Sequence, residues 1–277
     1  MRVACALTAA FAGVAACVPA SEPAPPAGAF GFVTEPSPAS RGEPFVTRDG
    51  WMVRIAKVAL QVSVTGRSVD TSKRNAYGSY ETYRFDASKS IELYARAIPT
   101  GPATGGVSLS GTYLDSSSKA DANVEVAGLS PETSARFQTR PDVSPSYTGY
   151  RSYSGPSLLL AVRATRAERV IAFDLTFDVF SFANPSDRSN PVRDVREDEL
   201  VTVPLTIAAE VLFKDEGTLA LAFGEFAAAD ADSDGVVTGP ELSGASCSSG
   251  VLDAEVPARQ CLADRVRNRA GSMFIAR

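Results

Sequence analysis

Apolar and polar residues alternate along the middle of this chain, a pattern typical of strands with one face in a core. The clearest case is residues 173–179, whose apolar positions are Phe173, Leu175, Phe177 and Val179. A period of two places these four side chains on one face of a β-strand. The apolar run at residues 157–165 precedes this strand, and the short polar stretch between them predicts a hairpin.

The same alternation changes phase near the start of the chain's β region. Apolar residues occupy odd positions from Trp51 to Ile55 and even positions from Val58 onward, which predicts a β-bulge or strand break near Ala56. Further strands are predicted over 80–86, 90–97, 106–114, 123–127 and 201–213. Many short strands with Gly, Pro and Ser turns indicate an antiparallel β-sandwich over residues 45–213.

The pattern becomes helical after residue 213. Residues 220–229 predict a short helix, and residues 257–270 predict another, with Pro257 in its first turn and Gly271 at its end. The fold class is therefore mainly β, with a small C-terminal α-helical segment over residues 214–277. We expect a solvated face on this second helix, formed by Arg265, Arg267 and Arg269. Contact of this face with anionic lipid headgroups is the alternative.

Between these predicted helices lies an Asp-rich stretch, DADSDGVVTGPE at residues 230–241. Its oxygen donors recur at the spacing of a calcium loop and are Asp230, Asp232, Asp234, the carbonyl of Val236, Thr238 and Glu241. Gly235 stands where such a loop must turn sharply. Apolar residues Phe226, Val237 and Leu242 match the hydrophobic positions in and around such a loop.

This stretch resembles an EF-hand, and the resemblance implies one bound Ca²⁺. An Asp-Gly turn between two strands is the alternative interpretation. The sequence contains no second loop of this kind, and Gly244 and Ser246 follow almost at once, which leaves little room for a second helix. A structural calcium site is therefore expected rather than a sensor that opens a groove.

The N-terminus predicts export. Arg2 precedes an apolar run at residues 3–12 that is too short to span a bilayer, and VAAC at residues 14–17 resembles a bacterial lipobox. The resemblance implies a signal peptide over residues 1–16 and an acyl chain on Cys17 that anchors the protein to a membrane. Val18 instead of Asp favours the outer membrane, and an ordinary secretory signal is the alternative.

Composition adds a tether and a disulfide to this picture. Residues 17–44 are rich in Pro and Ala and predict a disordered tether between the lipidated Cys17 and the sandwich. Cys247 and Cys261 are expected to pair in an oxidising compartment. FVTRDGW at residues 45–51, with the predicted sandwich and the Asp-rich loop, is similar to secreted bacterial lipoproteins.

The same composition excludes several function classes. The chain has no His, so catalysis by Ser-His-Asp or Cys-His groups is excluded. Its net charge of −5 argues against nucleic acid as a partner. The expectation is a non-enzymatic calcium-binding protein of the cell envelope, with a His-free hydrolase as one alternative.

Tyrosine supplies the other alternative. Six of the eight tyrosines form two triplets with a spacing of three, and they are Tyr77, Tyr80, Tyr83, Tyr147, Tyr150 and Tyr153. Exposed Tyr in loops can contact a glycan or an envelope protein. The simpler interpretation is that each ring anchors its loop to a sheet edge.

Overall fold

The structure is a computed structural model that describes residues 27–70, 81–109, 124–125, 131, 135–136, 144–145, 151–152, 156–177, 179, 192–214, 220–245 and 262–276. The strands among these residues are β1 (Ala27–Pro36), β2 (Phe45–Val46), β3 (Met52–Ser68), β4 (Glu81–Asp86), β5 (Glu92–Pro99), β6 (Gly101–Leu109), β7 (Val124–Glu125), β8 (Ser144–Pro145), β9 (Arg151–Ser152), β10 (Leu158–Arg166), β11 (Arg169–Phe177), β12 (Arg193–Val195), β13 (Leu200–Ile207) and β14 (Phe274–Ala276). The helices are α1 (Gly224–Ala228), α2 (Gly239–Gly244), α3 (Leu262–Ala270) and the 3-10 helices Ala209–Phe213 and Gly271–Met273.

Most of these strands belong to two sheets. The smaller sheet has the order β14-β13-β1-β5, and the larger one runs β11-β10-β3-β4-β7, with β2 and β6 also on β3 and β12 on β6. Strands β8 and β9 pair separately. The mainly β fold with antiparallel sheets is thus confirmed, although β1 pairs with β13 and β4 with β7 in parallel.

The two sheets face each other across one apolar core. Phe30 of the smaller sheet is fully buried and lies against two glycines of the larger one. A Cβ atom at Gly105 would lie 2.5 Å from Phe30 Cδ1, and one at Gly66 would lie 2.5 Å from Ile98 Cδ1. Glycine at both positions gives these large side chains room at the backbone of the opposite sheet.

The predicted bulge near Ala56 is confirmed. In the pairing of β3 with β10, Ile55 lies opposite Val162 and Lys57 lies opposite Ala161, so Ala56 is the extra residue. The extra residue reverses which parity faces the core, because successive side chains of a strand point to opposite faces. Because of the bulge, this strand of 17 residues buries apolar side chains at odd positions before Ala56 and at even positions after it.

The predicted hairpin is also confirmed, as β10 and β11. Phe173, Phe177 and Val179 are buried, and Leu175 packs partly buried against the core. Strand β11 is the outermost strand at its end of the larger sheet. Its backbone therefore has one side available for a neighbour from elsewhere in the chain.

The predicted tether over residues 17–44 is wrong from Ala27 onward. Residues 27–36 form β1, which lies between β13 and β5 and buries Phe30 and Phe32 completely. The Pro- and Ala-rich composition conceals a short alternating segment whose inward positions include Phe30, Phe32 and Thr34. Ser40 then fastens the following turn, because its hydroxyl donates to the Ile207 carbonyl at 2.9 Å.

The C-terminal segment belongs to the same core. Phe223 and Phe226, at the start of and within α1, contact Phe173 of β11, with ring centroids 6.4 and 5.8 Å away. Strand β14 pairs with β13 at the edge of the smaller sheet. Helix α1 is shorter than predicted, and α3 ends at Ala270 as predicted.

The predicted solvated face of α3 is wrong at Arg265. Its side chain is 13% exposed, and its guanidinium pairs with the Glu225 carboxylate of α1. This ion pair links two C-terminal helices and withdraws one cation from the surface that the sequence suggested for lipid headgroups. Among the described residues, no helix is both long and apolar enough to cross a membrane.

Some sequence predictions lie outside the described residues. They are the signal peptide over residues 1–16, the acylated Cys17, the Cys247–Cys261 disulfide, and Tyr77, Tyr80, Tyr147, Tyr150 and Tyr153.

Candidate metal centre

The Asp-rich loop connects α1 to α2, and the start of α1 is held by a carboxylate from the β2–β3 turn. Asp49 accepts hydrogen bonds from the backbone N–H groups of Phe223 at 3.2 Å and Gly224 at 2.5 Å. The Thr47 hydroxyl donates to the same carboxylate at 2.5 Å. Burial raises the pKa of Asp49, but these hydrogen bonds outweigh it, and the pKa lies below its ordinary value.

Three carboxylates converge within the loop. One oxygen each from Asp230, Asp232 and Asp234 lies within 4.8 Å of the other two. Backbone N–H groups orient two of these side chains, since Asp234 N–H donates to Asp232 Oδ1 at 3.2 Å and Val236 N–H donates to Asp234 Oδ1 at 2.7 Å. Three negative charges this close repel each other unless a cation lies between them.

Asp230 differs from its two neighbours because its side chain is almost completely buried. The side chain is 1% exposed, and its Oδ2 lies 3.4 Å from the Arg169 guanidinium. Its Oδ1 is buried and has no hydrogen-bond partner among the described residues. A buried carboxylate oxygen without a partner is costly, and a bound cation would satisfy it. The residues therefore fit a metal ion, and this cluster could hold one.

The backbone turns sharply in the middle of the loop. Ser233 and Gly235 have φ values of 64° and 85°, the left-handed region that favours glycine. After this turn the loop runs beside β11: the Ala172 N–H donates to the Gly235 carbonyl at 2.8 Å, and the Val237 N–H donates to the Ala172 carbonyl at 2.8 Å. Val237 is buried and Val236 is exposed. Strand β11 thus supplies a neighbour for a loop that has no second copy in the sequence.

Glu241 lies at the far end of the loop and is not among the three converging carboxylates. It forms a capping box with Thr238 at the start of α2. Its Oε2 accepts from the Thr238 N–H at 2.8 Å, and its Oε1 accepts from the Ala231 N–H at 3.0 Å. These bonds draw the last residue of the loop back toward its first.

Hydrogen bonding also sets the protonation of Glu241. The Thr238 N–H, the Thr238 hydroxyl and the Ala231 N–H all stabilise the carboxylate, and the pKa of Glu241 lies below its ordinary value. The carboxylate is therefore charged at neutral pH. Pro240, an unusual residue at this place in a calcium loop, stands in the first turn of α2, where no helical N–H is lost.

Arg169 is a neighbour of the carboxylate cluster that the sequence did not reveal. It donates to the Ala227 carbonyl at 2.7 Å, approaches Asp230, and lies 6.0 Å from the ring centroid of Trp51. It is 61 residues from Asp230 in the chain, so no local spacing connects the two. Only the alignment of β11 with the loop brings this cation to the carboxylate cluster.

Tyr83 does not belong to the predicted tyrosine binding surface. Tyr83 lies in β4 and is 5% exposed. Its hydroxyl donates to the Tyr94 carbonyl at 2.7 Å, and its ring meets Tyr94 edge-on. The strand turns this ring inward, so Tyr83 cannot belong to an exposed binding loop.

Comparison with known proteins assigns no family to this geometry. The chain matches no protein-family model, no curated protein and no solved structure. What the site can bind is therefore inferred from its own donor atoms, which are carboxylate oxygens without nitrogen or sulfur.

Proposed function

We propose that the loop at residues 230–241 binds one Ca²⁺ that stabilises the fold of a non-enzymatic, lipid-anchored protein of the cell envelope. The observation that carries the calcium site is the buried, unpartnered Oδ1 of Asp230 within a cluster of three carboxylates. An oxygen atom placed this way gains the most from a cation. Because the loop is hydrogen-bonded to β11, stabilisation of the loop by a cation would also stabilise the folded state of the whole sandwich.

The donor set favours Ca²⁺ over other common metals. Carboxylate and carbonyl oxygens suit hard cations, whereas Zn²⁺ and Cu²⁺ sites usually include His or Cys. Ca²⁺ accepts six to eight oxygens in a flexible shell, while Mg²⁺ demands a near-octahedral one and keeps several waters. Asp230, Asp232, Asp234 and Thr238, the carbonyl of Val236 and the carboxylate of Glu241 are the groups that would hold the ion.

A structural role is supported by the short helices on either side, each of which is anchored by a buried apolar side chain. Helix α1 has five residues and α2 has six. Phe226 before the loop, Val237 within it and Leu242 after it are all buried in the common core. A calcium sensor needs helices that can swing apart and expose a groove, and these anchors oppose such a motion.

The calcium site is tested by thermal unfolding in millimolar Ca²⁺ and in chelator. Binding to the folded state alone raises stability by RT ln(1 + [L]/Kd), or about 2.7 kcal/mol at a hundredfold excess over Kd. We expect calcium to raise the Tm of the wild-type chain and not that of Asp230→Asn. The matched control is Asp194→Asn, which neutralises an exposed carboxylate outside the loop and should keep the full calcium response. Equal wild-type melting with and without calcium would refute the site.

The membrane anchor is tested separately. The support for it is the lipobox resemblance at residues 14–17. Cells that express the chain are fed a labelled fatty acid, and we expect label on the wild-type protein and none on Cys17→Ser. Label on both proteins, or on neither, would contradict acylation at Cys17 without affecting the calcium proposal.

A further inference from the structure

A row of mainly apolar residues crosses the outer face of the larger sheet next to the proposed metal loop, residues 230–241. Val46 of β2 lies opposite Met52 of β3, Met52 lies opposite Thr165 of β10, and Thr165 lies opposite Val170 of β11. Residues directly opposite in a sheet share a face. Val46, Met52 and Val170 are 65%, 52% and 39% exposed, so apolar side chains of β2, β3 and β11 are open to solvent, with the partly exposed Thr165 of β10 between Met52 and Val170.

The neighbouring row carries two cations on the same face. Arg54 of β3 lies directly opposite Arg163 of β10, and Arg163 lies opposite Ala172, which is bridged to the exposed Val236 of the loop. Both arginines are exposed. Like charges directly opposite each other destabilise a sheet. The arrangement therefore has a cost that an external anion would remove.

No described carboxylate neutralises this pair of arginines. The ion pairs among the described residues include neither Arg54 nor Arg163. Arg54 Nε donates to the Gly42 carbonyl at 3.1 Å, which orients the guanidinium and leaves its charge intact. Asp174, further along β11 on this face, is already paired with Arg136 at 2.6 Å.

Apolar side chains beside uncompensated arginines, on an open sheet face, match the chemistry of a bilayer surface with anionic headgroups. Arginines bind headgroup phosphates, and the apolar row enters the boundary of the acyl chains. We propose that this face, defined by Val46, Met52, Val170, Val236, Arg54 and Arg163, docks on an anionic lipid bilayer. The net charge of −5 opposes binding of the molecule as a whole to anionic lipid, so binding requires a local positive patch such as this one.

The metal loop forms one rim of the docking face. Asp232 and Asp234 are exposed there, and their charge repels an anionic surface unless a cation offsets it. Docking should therefore strengthen in calcium, a dependence that rests on the proposed function. The contribution of the arginine pair does not rest on it.

The test is flotation of the full chain carrying Cys17→Ser, which removes the proposed acylation site, with vesicles of phosphatidylcholine alone or with 30% phosphatidylglycerol. Each is run in calcium and in chelator, and the readout is the ratio of binding to the two vesicle types. Any contribution of the apolar run near the N-terminus should be similar in every variant and is removed by comparing variants. The variant is Arg54→Gln with Arg163→Gln. The matched control is Arg67→Gln with Arg193→Gln, which removes two exposed arginines elsewhere.

We expect the anionic preference of the parent chain to fall roughly tenfold or more in the Arg54/Arg163 variant, since each surface arginine contributes measurably to such binding. Met52→Ser should weaken binding to both vesicle types. The proposal is overturned if the parent chain shows no anionic preference in either condition, or if the control loses as much as the variant. If substitution of Arg54 and Arg163 abolishes the anionic preference but calcium has no effect on the preference of the parent chain, the proposal stands and only its calcium dependence fails.

Discussion

The sandwich core and the proposed metal loop meet along β11, and different kinds of interaction predominate in them. On its inner face β11 places Phe173 and Phe177 among buried apolar side chains. Along its open edge, the backbone of Ala172 bonds to a loop organised by carboxylates and N–H groups. Packing resists changes in salt and pH, whereas charges and hydrogen bonds respond to both. Strand β11 therefore joins an apolar core to a loop whose charged groups respond to salt and pH.

The largest effect should come from the sandwich side, with Phe30→Ala. Phe30 fills space left by Gly66 and Gly105, and these glycines have no side chains that could close the cavity. We expect the free energy of unfolding to fall by about 3–5 kcal/mol, measured by urea denaturation. Phe30→Leu should lose less. A loss below about 1 kcal/mol for the alanine variant would mean that the two sheets are not held together at this contact.

The second effect lies at the joint between the two regions, with Asp49→Asn. The carboxylate accepts hydrogen bonds from two N–H groups at the start of α1 and from the Thr47 hydroxyl, and losing its charge should cost roughly 1–2 kcal/mol at pH 7.

The same substitution should change the dependence of stability on pH. Because the pKa of Asp49 is lower in the folded protein than its ordinary 3.8, its stabilisation is present above that pH and disappears as the pH falls through the folded value. Unfolding midpoints between pH 6 and pH 2 should fall less steeply for Asp49→Asn than for the wild type. The exposed control Asp194→Asn should follow the wild type, and equal slopes for all three would contradict the role of Asp49.

A smaller effect is expected within the loop, with Thr238→Ala. The change removes the side chain that caps α2 and binds Glu241. We expect a loss of about 1 kcal/mol and faster hydrogen exchange at the Ala231 and Glu241 amides. Thr238→Ser keeps the hydroxyl and should restore both. Unchanged exchange in the alanine variant would show that the capping box does not hold the loop closed.

The smallest effect concerns the charge beside the metal cluster, with Arg169→Gln. The guanidinium lies 3.4 Å from Asp230 Oδ2 and is half exposed, so its repulsion of a bound cation is screened. We expect calcium to bind about threefold more tightly without it. Arg169→Lys keeps the charge and should bind like the wild type. Titration followed by fluorescence of Trp51, the one tryptophan in the chain, measures the change, and weaker binding in Arg169→Gln would contradict it.

The sequence predicted those parts of the fold where a local pattern carries the information. Alternation from Phe173 to Val179 specified a strand, and the phase change near Ala56 specified a bulge, because both depend on which face a side chain occupies. The strand at residues 27–36 is not evident from composition, because Pro and Ala dominate the surrounding stretch and hide its short alternation. The parallel pairing of β1 with β13 could not be predicted, since its partners lie more than 150 residues apart and share no local signal.

The candidate site likewise contains residues that a local sequence pattern predicts and residues that it does not. The spacing of Asp230, Asp232 and Asp234 predicted the carboxylate cluster, because three nearby residues and one glycine turn define its geometry. Asp49, which holds the start of α1, lies in the β2–β3 turn, and Arg169, which approaches the cluster, begins β11; both are distant from the loop in the chain. Their roles depend on tertiary contacts that sequence spacing does not record.

The placement of β1 has a mechanical consequence. A pull on the N-terminal side of the chain enters the described fold at Ala27 and acts along the axis of a strand bonded to β13 on one side and β5 on the other. Under such shear, the hydrogen bonds on both sides of β1 bear the load together, whereas peeling would break them one after another. The sheet order thus makes β1 a segment that resists tension applied along its own axis.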